Sequence, residues 1–174
     1  MKMHLIQPFI SAADCVLASA LHGPARIGDL TMEPDIEPDN DQAGYRPRGC
    51  AARIVIRGEI EGRIIVDMTS ETAVRIASVL AGEEIEESDQ VVNETVFELA
   101  NMMIGNAVTL LNDHGYQFKV FPPEQHHDEE NSGSRTETEE TAIYFDTACG
   151  RVFVNIAMRY NPHHREQSVP ALSH

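Results

Sequence analysis

The tightest constraint on the fold lies in residues 89–113, where apolar side chains recur every three or four positions. At about 100° per residue, that stretch is a helix of roughly seven turns. With Glu98 set at zero on its wheel, Val96, Leu99, Ala100, Met103, Ala107 and Leu110 fall on the far side, with Ile104 and Leu111 beside them. A stripe that wide needs a sheet or another helix to cover it. The near side carries Glu94, Glu98, Asn101, Gly105 and Asn112. Residues three apart on a helix are surface neighbours, so Glu98 and Asn101 address one small target together. On spacing alone, Glu at i with Asn at i+3 is ordinary for a solvated face. Gly105 is less ordinary, because glycine inside a helix costs about 1 kcal/mol relative to alanine. Two readings account for it: a neighbouring element crossing there, or a partner's backbone approaching closely.

The rest of the chain supplies what the stripe packs against. Pro8 suits a helix start and Gly23-Pro24 an end, which predicts a first helix over about 8–22. Residues 31–50 are rich in Pro, Asp, Gly and Asn and read as a loop. The period then becomes that of strands. Ala52–Arg57 and Gly62–Asp67 are β-branched runs that predict an antiparallel hairpin. Thr69 or Ser70 caps a second helix that ends at Gly82, and Ser88 or Asp89 caps the long one. Tyr116–Phe121 reads as a short strand stopped by Pro122-Pro123. Residues 124–140 contain no apolar side chain and read as a solvated, disordered loop. Thr141–Asp146 and Arg151–Met158 form a second hairpin, and the last dozen residues a frayed tail. Strands and helices come in blocks, which favours an α+β fold: an antiparallel sheet with the long helices packed on one face. One domain over 1–160, followed by a tail over 161–174, accounts for the whole chain.

Composition narrows the function. Thirteen basic against 28 acidic residues leave a formal charge of −15, which repels a phosphate backbone and makes nucleic acid an unsuitable partner. Three scattered cysteines, Cys15, Cys50 and Cys149, indicate neither a disulfide framework nor a Cys-x-x-Cys metal site, and suit a reducing cytoplasm. No run of 18 apolar residues is present, so no membrane span is expected. Lys2 and the apolar run to Ala20 faintly resemble a leader. Asp14 interrupts that run, and Leu5, Phe9, Ile10, Ala13, Leu17 and Leu21 keep helical spacing. The pairs His126-His127 and His163-His164 lack the spaced ligands of a metal shell and read as surface residues. Cys15 is placed on the apolar side of the first helix.

The stretch Asn93–Ala107 resembles the signature helix of the CheC/CheX/FliY phosphatases: Asp or Ser, three residues, Glu, two residues, Asn, and a proline somewhat over twenty residues later. Glu98 and Asn101 match the Glu and Asn, and Pro123 follows Asn101 by 22 positions. The N-terminal Pro-Phe-Ile-Ser-Ala-Ala and the Met-Ile-Gly-Asn-Ala continuation are also similar to this family. The resemblance spans nearly all the chain. Glu94 departs from it, adding a methylene where the pattern has Asp or Ser. CheC proteins carry two such helices and this chain one, which makes CheX the nearer relative.

The resemblance implies a protein phosphatase acting on the phospho-aspartate of a CheY-like receiver domain, in chemotaxis or related two-component signalling. Glu98 and Asn101 would be its catalytic pair, with Glu94, Gly105 and Pro123 in partner binding. It implies no cofactor of the chain's own, since Mg2+ would be held by the partner receiver. It also implies a homodimer, which the expected exposed edge of the C-terminal hairpin would serve. The alternative is a non-catalytic scaffold of the same fold that docks a receiver or motor component. A third reading is a structural, dimer-forming domain with no receiver partner.

Overall fold

The computed structural model describes residues 3–23, 25–29, 47–86, 90–113, 115–126 and 139–161. Most of the expected loop 31–50, the Ser88/Asp89 cap, the middle of the 124–140 segment, the second histidine pair and the tail from 162 lie outside the described residues.

The first element is α1 (Met3–Ala20), which begins five residues before Pro8. Pro8 therefore stands inside the helix rather than at its start, without an N–H to donate to the carbonyl four residues back. The burial of Leu5, Ile6, Phe9, Ala12, Ala13, Val16 and Leu17 offsets that loss. Cys15 points away from this face and is exposed, not in the core as expected. A short strand, β1 (Arg26–Asp29), follows in a stretch where the sequence pattern predicts no element.

The first predicted hairpin is β2 (Cys50–Gly58) and β3 (Ile60–Met68), each strand a little longer than the β-branched runs alone. Side chains alternate between two faces. Ala52, Ile54 and Ile56 of β2 and Ile64, Val66 and Met68 of β3 enter the core. Asp67, fully buried on the other face, ties down the chain entering β2. Both of its carboxylate oxygens accept from the Arg48 backbone N–H, at 3.1 and 3.0 Å. The Arg48 guanidinium adds a 3.3 Å contact to Asp67 and lies 3.9 Å from the Phe153 ring centre.

Helix α2 (Ser70–Ala81) starts at Thr69, whose hydroxyl accepts from Thr72 N–H, and stops at Gly82 in the left-handed conformation at φ 71°. The long helix is α3 (Gln90–Asp113). Beyond it come β4 (Phe118–Val120), β5 (Glu124–Gln125), β6 (Glu139–Thr147) and β7 (Gly150–Tyr160). The strands form one antiparallel sheet in the order β1-β6-β7-β3-β2-β4, with β5 also pairing β2. Side chains from all three helices join the inward face of the sheet in a single core. The other face carries a smaller buried cluster of Ala51 and Ile65, with Asp67, Phe153 and Asn155 buried on the same face. The result is an α+β fold with the helices on one side of an antiparallel sheet.

Three expectations about the C-terminal half are corrected. The β6–β7 hairpin is not an edge: β7 lies between β3 and β6, and β1 covers β6 from Ile143 to Asp146. The 124–140 segment is not loop throughout, because Glu124 and Gln125 pair with β2 while Glu139 and Glu140 pair with β7. His126 is buried rather than a surface residue, and its backbone N–H donates to Ala51 O at 2.9 Å. Backbone pairing, which side-chain polarity does not report, accounts for all three.

Candidate functional site

The bare face of α3 is held rigid from behind. Val92, Val96, Leu99, Ala100, Met103, Ile104, Ala107 and Leu111 are buried, and Ala100 and Ala107 are small enough to bring the helix axis close to its neighbours. Leu110, assigned to this stripe by the wheel, is 39% exposed instead. It lies toward the edge of the apolar arc.

Glu94, Glu98, Asn101 and Gly105 all stand on the exposed face. Glu94 Oε1 accepts from Gln90 Nε2 at 2.7 Å, which fixes its head toward the helix start. Glu98 and Asn101 make no hydrogen bond or ion pair with any described residue. Their hydroxyl neighbours behave differently: Thr95 Oγ1 donates to Val91 O at 2.7 Å and Thr109 Oγ1 to Gly105 O at 3.1 Å. The flanking groups are thus turned back onto the helix while the Glu–Asn pair faces outward with its capacity unused.

A Cβ added at Gly105 would meet nothing within 4 Å. No packing neighbour among the described residues requires glycine there, which speaks against the crossing of a neighbouring element. What remains is a notch in the helix surface one turn past Asn101. Sequence reasoning passed over two residues on this face. Met102 and Val91 are each 42% exposed, and the same wheel places them within about 40° of Glu98. They give the polar pair an apolar flank. Pro123 is not on this helix; it lies in the 121–123 link between β4 and β5, along the outer side of β2. Phe121 N–H donates to Val55 O at 3.0 Å, after which two prolines without N–H groups interrupt the ladder. Among the described residues no three His, Cys, Asp or Glu side chains converge on a metal position. No described helix is long and apolar enough to cross a membrane.

The profile of the family described as chemotaxis phosphatase CheX matches residues 50–146, more than half of the chain. The chain belongs to the CheX family. Among solved structures it is similar to CheX of Borrelia burgdorferi, in a complex of CheX with CheY, BeF3 and Mg2+. The identity is 30% and the TM-score 0.66, over 88% of this chain and 97% of that one. A CheC-like superfamily protein of a Shewanella species matches with TM-score 0.72 at 22% identity, over 91% of this chain and 99% of that one. A chemotaxis protein CheX of Desulfovibrio desulfuricans matches with TM-score 0.68 at 23% identity, over 89% and 99%. A search of curated proteins found no match.

Proposed function

We propose that this protein hydrolyses the phospho-aspartate of a CheY-like receiver domain, with Asn101 and Glu98 carrying the reaction. The observation behind this reading is the uncommitted Glu98–Asn101 pair on the rigid, bare face of α3. The CheX–CheY complex of the Borrelia relative supports a receiver as the partner, and its BeF3 is a phosphoryl mimic.

An acyl phosphate is cleaved when water attacks phosphorus in line. The new bond is O–P, the bond broken is that between phosphorus and the aspartyl oxygen, and the products are a carboxylate and inorganic phosphate. The water's protons pass to phosphate and solvent. Phosphoryl transfer needs positioning more than covalent chemistry. The Asn101 side-chain amide both accepts and donates, so it holds a water in line without being a base. Glu98, one turn back, pairs with a cation of the receiver and fixes the docking register. Gly105 admits the partner's backbone. Mg2+ belongs to the receiver, and no residue of this chain is asked to hold it.

The test is phosphate release from a phosphorylated receiver in Mg2+. The wild-type chain accelerates release over the receiver's own decay. Asn101→Ala loses about 10²–10³ of that gain while still binding the receiver. Unchanged turnover in Asn101→Ala against each receiver tried overturns the assignment and leaves the scaffold reading.

A further inference from the structure

We propose that the β2–β4 edge of the sheet, on the face turned away from the helices, docks an acidic segment of a partner protein, separately from the α3 face. Arg57 on β2 and Lys119 on β4 are register partners, so their side chains leave the same face directly opposite one another. Ile56, beside Arg57, is in the core, and Phe118 and Val120, which flank Lys119, pack against it. The two cations therefore point away from the helices. Like charges directly across a ladder are destabilising. Neighbouring arginines on this face have carboxylates to meet: Arg53 has Glu124, Arg151 has Asp146 and Arg159 has Glu61. Arg57 and Lys119 have no ion pair among the described residues. In a chain of net charge −15, neither cation has a carboxylate of its own among the described residues: Glu61, next across the β2–β3 hairpin from Arg57, is taken by Arg159.

The apolar part of the surface adjoins them. Phe121 is 42% exposed, its ring centre 5.5 Å from the Arg57 guanidinium carbon. Val55 is half-buried and bonded through its carbonyl to Phe121 N–H. Two unneutralised cations beside an accessible phenyl ring suit a short peptide that alternates carboxylates with apolar side chains. A nucleic acid is disfavoured by the charge of the whole molecule. A second copy is disfavoured too, because a two-fold axis through this patch would set its cations against themselves.

The probe is a fluorescein-labelled decapeptide of alternating glutamate and leucine, followed by anisotropy; the comparator replaces glutamate with glutamine. The wild-type chain binds the glutamate peptide and not the comparator. Arg57→Ser/Lys119→Ser binds it about tenfold more weakly, Phe121→Ala several-fold more weakly, and Asn101→Ala as the wild type does. The double variant melts no lower than wild type, since it relieves a repulsion. Equal binding by the double variant, no binding by wild type at millimolar peptide, or a loss of affinity in Asn101→Ala overturns the proposal. So does a lowered melting temperature of the double variant, which makes the cations structural. A shift of the double variant to a smaller species in sedimentation assigns the patch to a second copy and overturns it as well.

Discussion

Gly105 separates stability from function at the scale of a single residue. A methyl group there meets nothing within 4 Å, so Gly105→Ala removes the helix penalty of glycine without a clash. The variant should be more stable by about 1 kcal/mol in denaturant titration. If the α3 face docks a receiver, the same variant should raise KM for phosphorylated receiver with little change in kcat. Greater stability with unchanged KM would leave the notch without a partner. Leu99 is the complementary control, being fully buried behind the pair. Leu99→Ala should cost about 2–5 kcal/mol in stability. The cysteines allow a further check. Burial pushes the Cys149 thiol up, an effect that Arg75 only partly offsets, so it stays protonated and unreactive at neutral pH. Exposed Cys15 should be alkylated by iodoacetamide well before Cys149, as peptide mass mapping would report.

Elements differ in how they are specified, and that decides which of them could be read from the chain. The caps of α2 act locally: Thr69→Ala removes the acceptor for Thr72 N–H and should cost about 1 kcal/mol in thermal or denaturant unfolding. Such signals, with the long stripe of α3 and the β-branched runs of β2 and β3, were legible because each is written in neighbouring residues. β1 and β5 were not. Arg-Ile-Gly-Asp and Glu-Gln are too short to show an alternation, and they become strands only because β6 and β2 offer them free backbone. Gly28 illustrates the dependence, since a Cβ there would lie 2.0 Å from the Tyr144 ring that crosses it. The start of α1 was misread for a related reason: burial of its apolar face outweighs the missing N–H of Pro8. The Glu98–Asn101 pair is a different case. Neither head has a hydrogen bond or ion pair among the described residues, so no pattern of hydrogen bonding marks them, and only the resemblance to related helices singled them out.

Across the whole molecule, charge is distributed so that the two proposed surfaces attract opposite partners. The α3 face presents Glu94 and Glu98 in a chain of net charge −15, whereas Arg57 and Lys119 lie on the far side of the sheet. On the proposed reading, a receiver whose docking surface carries cations is drawn toward α3 by the field of the entire chain before Glu98 makes contact. Long-range attraction of this kind acts on encounter and is screened as the Debye length falls from about 10 Å at 0.1 M salt to about 3 Å at 1 M. The water positioning proposed for Asn101 is short-ranged and local. Raising salt from 50 to 500 mM should thus lower kcat/KM for phosphorylated receiver several-fold, through KM, and leave kcat nearly unchanged. Glu98→Ala should flatten that dependence only slightly, because it removes one charge of fifteen in excess. It should, however, weaken association at every salt concentration, because it removes the contact proposed to set the register. Steady-state phosphate release at several ionic strengths measures both quantities. A kcat that falls with salt as steeply as kcat/KM would mean that the pair acts through long-range charge, and Asn101 would lose its role as the holder of the water.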